Sequence, residues 1–157
     1  MPRGLFRRVM KGKVAIFPGS FDPFTVGHYD IVRRALPLFD EIVIGVGVNA
    51  QKQPLFSVEE RVDAIRKVFA GEPKVRVEAY HSLTVDFARE AGAAFMLRGV
   101  RSTVDFEYEK AFAEANKQLS GIETVLLFTK PEYEHISASL VRDLYLHGKD
   151  ITPYLPS

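Results

Sequence analysis

Short runs of β-branched and apolar residues alternate along this chain with stretches whose apolar positions recur every three or four residues. Val14 to Phe17 predicts a buried strand, closed by Pro18 and Gly19. Ile31, Val32, Ala35, Leu36 and Phe39 fall at helical spacing, which predicts a helix over Val26 to Phe39. Glu41 to Val48 is apolar on nearly every position and reads as a second strand buried on both faces. Ser57-Val58-Glu59-Glu60 has the spacing of a capping box, with Glu60 three residues after the serine, so a helix starts there and runs to about Phe69 before Gly71. Lys74 to Ala79 alternates as a third strand, and Val85 to Ala91 is a short helix ended by Gly92. Ala94 to Leu97 is a fourth strand, Thr103 to Leu119 a long amphipathic helix ended by Gly121, and Thr124 to Phe128 a fifth strand. Ser137 to Leu146 is the last helix, followed by Gly148.

Apolar strands separated by helices imply a parallel sheet covered on both faces, and right-handed crossovers make it an open, doubly wound α/β sheet. Ligands of such sheets bind beyond the carboxyl ends of the strands, so chemistry is expected in the loops that follow them. With 157 residues, the sequence fits a single domain over 13–157, preceded by a basic extension over 1–12 that carries Arg3, Arg7, Arg8 and Lys11 and is expected to be poorly ordered. Met10 is a second candidate start. The formal net charge of +1 gives no global field that would favour nucleic acid or an acidic membrane, and an RNA-binding role finds little support in it. Without cysteine, disulfides, thiolate nucleophiles and cysteine zinc sites are excluded, which fits a reducing cytoplasm. No apolar run has the length of a membrane span.

Four segments after strands carry candidate chemistry. Pro18 to His28 is a shaped loop in which Ser20 offers a hydroxyl, Asp22 a loop-orienting carboxylate, Gly27 an approachable backbone and His28 a donor in the first helical turn. A turn with a structural serine and a surface histidine is the plainer reading of the same residues. Lys52, after the second strand, is a mobile point charge able to meet a phosphate or simply to sit in solvent. Arg98-Gly99-Val100-Arg101 puts two guanidinium forks beside a buried strand, where charge needs a partner such as phosphate; Asp105 and Glu107 are read as pairing with them or favouring the next helix N-terminus. Ser137-Ala138-Ser139 opens the last helix either as caps or as a phosphate cradle, with Arg142 one turn further in, reaching a phosphate or a neighbour. His135 and His147 read as surface residues, and Phe106, Tyr108 and Phe112 as core.

Pro18 to His28, Arg98 to Glu109 and Ile136 to Asp143, in this order and spacing, resemble bacterial phosphopantetheine adenylyltransferase, of the nucleotidyltransferase superfamily whose signature is (His/Thr)-x-Gly-His. The resemblance runs from about Lys13 to Pro153 and implies a Rossmann-like fold and transfer of the adenylyl group of ATP to 4'-phosphopantetheine, giving dephospho-CoA and pyrophosphate, with Mg²⁺. It implies that Ser20 and Lys52 contact the acceptor phosphate, with Arg98 beside them. His28 stabilises the α-phosphate in the transition state, and Arg101 is a second active-site arginine. Ser20, Phe21, Arg98, Gly99, Glu109, Ser137 and Ser139 join the ATP contacts, while Leu83, Thr84 and Asn116 meet the pantetheine arm. No metal ligand is implied among the residues. A cytoplasmic homohexamer inhibited by CoA is also implied by the resemblance. Ala138 stands where the family usually has a serine, and Thr84 is more polar than its usual counterpart. A nicotinamide mononucleotide adenylyltransferase and a non-catalytic nucleotide-binding regulator are the alternatives.

Overall fold

The computed structural model describes residues 12–157. Apart from Gly12, the basic extension, Met10 included, lies outside the described residues. Five strands, β1 (Val14–Gly19), β2 (Glu41–Gly47), β3 (Val75–Tyr80), β4 (Phe95–Val100) and β5 (Glu123–Phe128), form one sheet in the order β3-β2-β1-β4-β5. Every pairing is parallel. The helices are α1 (Val26–Ala35), α2 (Val58–Val68), α3 (Thr84–Glu90), α4 (Thr103–Ser120) and α5 (Ala138–Leu146).

The period of two along β1 builds both layers. Ala15 and Phe17 pack with Ile31, Val32, Val62 and Ile65 of α1 and α2 on one face. Val14 and Ile16 pack with Phe87 and Ala88 of α3 on the other. Helix α4 lies on β4 and β5 beside α3. A third, smaller core joins α5 to the C-terminal segment through Ile136, Val141 and Ile151, with Val26 and Tyr133 against it.

The predicted elements all form, with instructive shifts at their ends. The first helix stops at Ala35 and continues only as a 3₁₀ turn, Leu36–Leu38, because Pro37 removes an amide donor and its ring obstructs the α-helical path. The capping box at Ser57 is present in both directions: Glu60 N–H donates to Ser57 Oγ and Ser57 N–H to Glu60 Oε1, each at 3.1 Å. Strand β4 runs three residues beyond Leu97, so Arg98 and Gly99 lie within the strand and not after it. Phe106, Tyr108 and Phe112 of α4 are not core: they are 38%, 61% and 50% exposed. The buried position of α4 is Glu109, with Asp105, Ala113 and Asn116 half-buried along the same face.

Candidate active site

Strand β1 is paired with β2 over six registers but with β4 over only two, Ala15–Phe95 and Ile16–Met96. Beyond Ile16 the two strands part, and Pro18 has no amide with which to extend the ladder. Arg98 bridges the gap instead, its Nη1 donating to the Pro18 carbonyl at 2.7 Å. This parting is the switch point of the sheet, where crevices form in such folds.

A cleft of about 480 Å³ opens there. His28 and Ser20 from the first loop, Lys52 from the second, Arg98, Gly99 and Arg101 from the third, Glu109 from α4, and Ser137 and Ser139 from α5 all line it. Phe21 lines it too, although the residue as a whole is only 4% exposed. A second cavity of about 290 Å³ shares Pro18, Gly19, Arg98 and Glu109 with the first and is lined by Leu83, Thr84 and Asn116, together with Tyr80, Tyr108 and Phe112. All of the sequence-selected residues therefore lie on two adjoining hollows. Thr84 is not a free hydroxyl: its Oγ1 is 3.0 Å from Tyr80 Oη.

Thr25-Val26-Gly27-His28 is itself a capping box. Thr25 Oγ1 accepts from the His28 amide at 3.4 Å, and the Thr25 amide donates to His28 Nδ1 at 2.9 Å. Accepting that bond leaves Nδ1 without a proton, so the neutral ring carries its proton on Nε2, its remaining donor in a cleft-lining residue. Phe17, Phe21 and Phe24 surround the imidazole with centroids 6.3, 5.0 and 5.4 Å away. Burial, reinforced by the charges of Arg98 and Arg101, lowers its pKa from 6.5 to about 4. His28 is thus a neutral hydrogen-bond donor at pH 7. A Cβ on Gly27 would meet nothing closer than Thr25 Oγ1 at 3.5 Å, so the fold itself does not require glycine there; the vacant space faces the cleft. Gly19 differs, since a Cβ there would stand 2.9 Å from the ring of Phe21, whose φ of 50° holds it in the left-handed region.

The His28 shift has a thermodynamic consequence. The unfolded imidazole binds its proton near pH 6.5 and the folded one only near pH 4, so between these values the unfolded state holds more protons. Stability of the ligand-free protein should therefore fall as pH drops through this window, with no contribution from this group above it. Urea unfolding from pH 7.5 to 4.5 should show a steeper loss for the wild type than for His28→Gln; parallel curves would refute it. Asp30 does not interfere. Burial opposes its charge, but hydrogen bonds from Arg33 and Arg34 and the charge of Lys130 outweigh it and hold its pKa below 3.8.

The cations divide into engaged and free. Arg98 grips Glu109 with two 2.8 Å bonds, Nε to Oε1 and Nη2 to Oε2. Glu109 is buried, so this pair fixes the floor shared by both hollows. Arg101 meets Asp105 at 3.3 Å, while Glu107 makes no ion pair among the described residues. Lys52 is exposed and its ammonium has no acidic partner among the described residues. Ser137 is the N-cap of α5, accepting from the Leu140 amide at 3.0 Å, and Ala138 begins the helix. Arg142 takes its neighbours, donating to Ser139 Oγ and the Asp22 carbonyl, each at 3.0 Å, and it also lines the cleft. His135 and His147 are exposed. Thr25, the first residue of the Thr-x-Gly-His match, also lines the cleft, as does Thr129, which sequence reasoning missed. Thr25 was legible as the first residue of a Thr-x-x-His capping pattern; Thr129 had no such signal. Arg61, 5% exposed and without a carboxylate partner among the described residues, was missed as well.

Known proteins bear on this arrangement. The profile of the family described as Cytidylyltransferase-like matches residues 16–144. Phosphopantetheine adenylyltransferase of Phocaeicola vulgatus is 56% identical over 142 residues, covering 90% of this chain and 94% of that protein. The protein of the same name from Flavobacterium johnsoniae is 54% identical, covering 90% and 93%. Among solved structures, a bifunctional NMN adenylyltransferase/ADP ribose pyrophosphatase of Francisella tularensis superposes with a TM-score of 0.72 at 17% identity, over 93% of this chain but 45% of that one. At that identity the likeness speaks for the fold alone. Fold, cleft and close relatives agree, and the chain belongs to the phosphopantetheine adenylyltransferases of the cytidylyltransferase-like family.

Proposed function

We propose that this enzyme transfers the adenylyl group of ATP to 4'-phosphopantetheine, releasing pyrophosphate and forming dephospho-CoA. The observation that carries the reading is the gathering of His28, Lys52, Arg101 and the α5 N-terminus around one cleft that opens into a second, partly apolar cavity. The first suits a polyphosphate and the second an extended arm. The phosphate of the acceptor attacks the α-phosphorus of ATP in line; a P–O bond forms as the bond to the β-phosphate oxygen breaks. The nucleophile is already an anion at neutral pH, so no general base is needed, and the protein's work is positioning and charge stabilisation. Ser20 and Lys52 hold the acceptor phosphate. His28 Nε2–H donates to the α-phosphate oxygen on which charge accumulates. Arg101, with Ser139 and the free amides of α5, holds the departing pyrophosphate. Arg98 keeps two N–H groups beyond those given to Glu109 and Pro18, and these serve phosphate oxygens.

Magnesium fits this scheme as a companion of ATP. Among the described residues no group of three acidic or histidine side chains gathers to hold a metal, and the two carboxylates on the cleft, Asp105 and Glu109, are engaged by arginines. Were Mg²⁺ to accompany ATP, it would be held mainly by the triphosphate and water and not by protein carboxylates, and it would supply charge neutralisation on the phosphates. A cytoplasmic homohexamer restrained by CoA belongs to the same proposal. Among the described residues no helix is long and apolar enough to cross a membrane. The exposed side chain of Val104 on α4 offers apolar surface that a second copy would cover. The test of the reaction is pyrophosphate release from ATP with 4'-phosphopantetheine as acceptor.

A further inference from the structure

Arg61 is a buried cation with an unusual set of partners. Its Nε donates to the carbonyls of Phe56 and Ser57 at 3.1 and 3.3 Å, and its Nη1 to those of Ser20 and Gly47 at 2.7 and 3.4 Å. No carboxylate neutralises it among the described residues, so its place in a 5% exposed site depends on these carbonyl dipoles. The four carbonyls come from three places: the loop after β1, the end of β2, and the start of α2. Between the last two lies the segment 48–57 that carries Lys52.

The same segment is held from its other side. Asp22, also 5% exposed, accepts the amides of Leu55 and Phe56 at 2.8 and 2.9 Å. The Asp22 carbonyl in turn accepts Arg142, which holds Ser139. A chain of hydrogen bonds thus runs from Ser139 at the mouth of α5, through Arg142 and Asp22, across the backbone of residues 55–57, to Arg61 and Ser20. One end meets the proposed pyrophosphate side of the cleft and the other the proposed acceptor-phosphate side. Arg61 does not line the cleft itself.

We infer that Arg61 is a positioning residue that sets the acceptor phosphate against the α-phosphorus, acting through the Ser20 carbonyl and the 48–57 segment. This rests on the adenylyl transfer proposed above. An in-line attack tolerates little misplacement, and a shift near one ångström can cost about 100-fold in rate. An arginine suits the task because its planar fork can hold several carbonyls in fixed directions, which a lysine cannot. The Ser20 carbonyl is the shortest of its contacts, so the loop bearing that hydroxyl is the part most directly governed.

The experiment uses Arg61→Met and Arg61→Lys in the full-length enzyme. Steady-state pyrophosphate release is measured against both substrates, with ATP affinity measured separately by calorimetry without acceptor. We expect Arg61→Met to raise the KM for 4'-phosphopantetheine by about tenfold or more and to lower kcat, with the ATP Kd within about twofold of wild type. Arg61→Lys, which keeps the charge but lacks the planar fork, should recover part of the acceptor KM. If Arg61→Met does not fold, the lysine variant alone carries the comparison, and its acceptor KM should still be raised at unchanged ATP Kd. An unchanged acceptor KM, or equal losses toward ATP and acceptor, overturns the inference, since the second is what general loosening produces. Wild-type enzyme without turnover would instead overturn the reaction itself, so the two failures are distinct.

Discussion

Replacing His28 by alanine is expected to lower kcat by about 100- to 1000-fold while ATP still binds with nearly wild-type affinity. The size is that of losing one preorganised donor to a developing oxyanion, roughly 3–4 kcal/mol of barrier. The selectivity follows from the geometry. Nδ1 is committed to the Thr25 amide, so a single donor, Nε2–H, faces the ligand. It is a neutral donor, since burial and the nearby arginines hold the pKa near 4. A neutral hydrogen bond adds little to ground-state binding of a triphosphate already held by cations, and more where charge grows in the transition state. His28 also closes the capping box of α1, so the variant should lose about 1 kcal/mol of stability as well. The kinetic check is the split between kcat and ATP Kd, with circular dichroism to establish the fold. Equal losses in kcat and in ATP affinity would assign His28 to ground-state binding.

Arg98→Ala is expected to be the most damaging single change in the cleft, costing about 3–5 kcal/mol of stability along with activity. It strands the Glu109 carboxylate, 8% exposed overall, without the two bonds that compensate its burial. It also removes the side-chain tie between the parted ends of β1 and β4, from Arg98 to the Pro18 carbonyl. Removing both charges separates the two roles. In Arg98→Met with Glu109→Met, the uncompensated carboxylate is gone, and much of the stability should return because apolar replacement of a buried pair is often neutral. Activity should not return, as the guanidinium donors facing the cleft are still missing. Chemical unfolding of the single and double variants checks the first half and pyrophosphate release the second. Recovery of turnover in the double variant would show that Arg98 serves the fold alone.

These expectations depend on features with different visibility in the sequence. Strands and helices were readable because burial on both faces gives unbroken apolar runs, and because glycines at 92, 121 and 148, all with φ near 75°, end helices where they were expected to. The convergence of the loops was readable from the topology of a parallel sheet. Partner choice was readable only in part. Asp105 was read as pairing with one of these arginines and does meet Arg101, but that Arg98 would take Glu109, eleven positions on, depends on the rotation of α4 against β4, which side-chain spacing alone does not specify. Phe106, Tyr108 and Phe112 were misread as core because aromatic side chains are usually buried, whereas here all three are exposed and Tyr108 and Phe112 line the second cavity. Asp22 was readable as a loop-orienting carboxylate, but its partners were not, and Arg61 was hidden altogether, because both bind backbone atoms, which leave no pattern in the side-chain sequence.

The most direct measurement presents ATP, labelled in its terminal phosphates, with either 4'-phosphopantetheine or nicotinamide mononucleotide and follows the release of labelled pyrophosphate. Release that requires 4'-phosphopantetheine, with dephospho-CoA formed in equal amount, is the expected result. ATP binding with no release under either acceptor, or release driven by the mononucleotide instead, would contradict it.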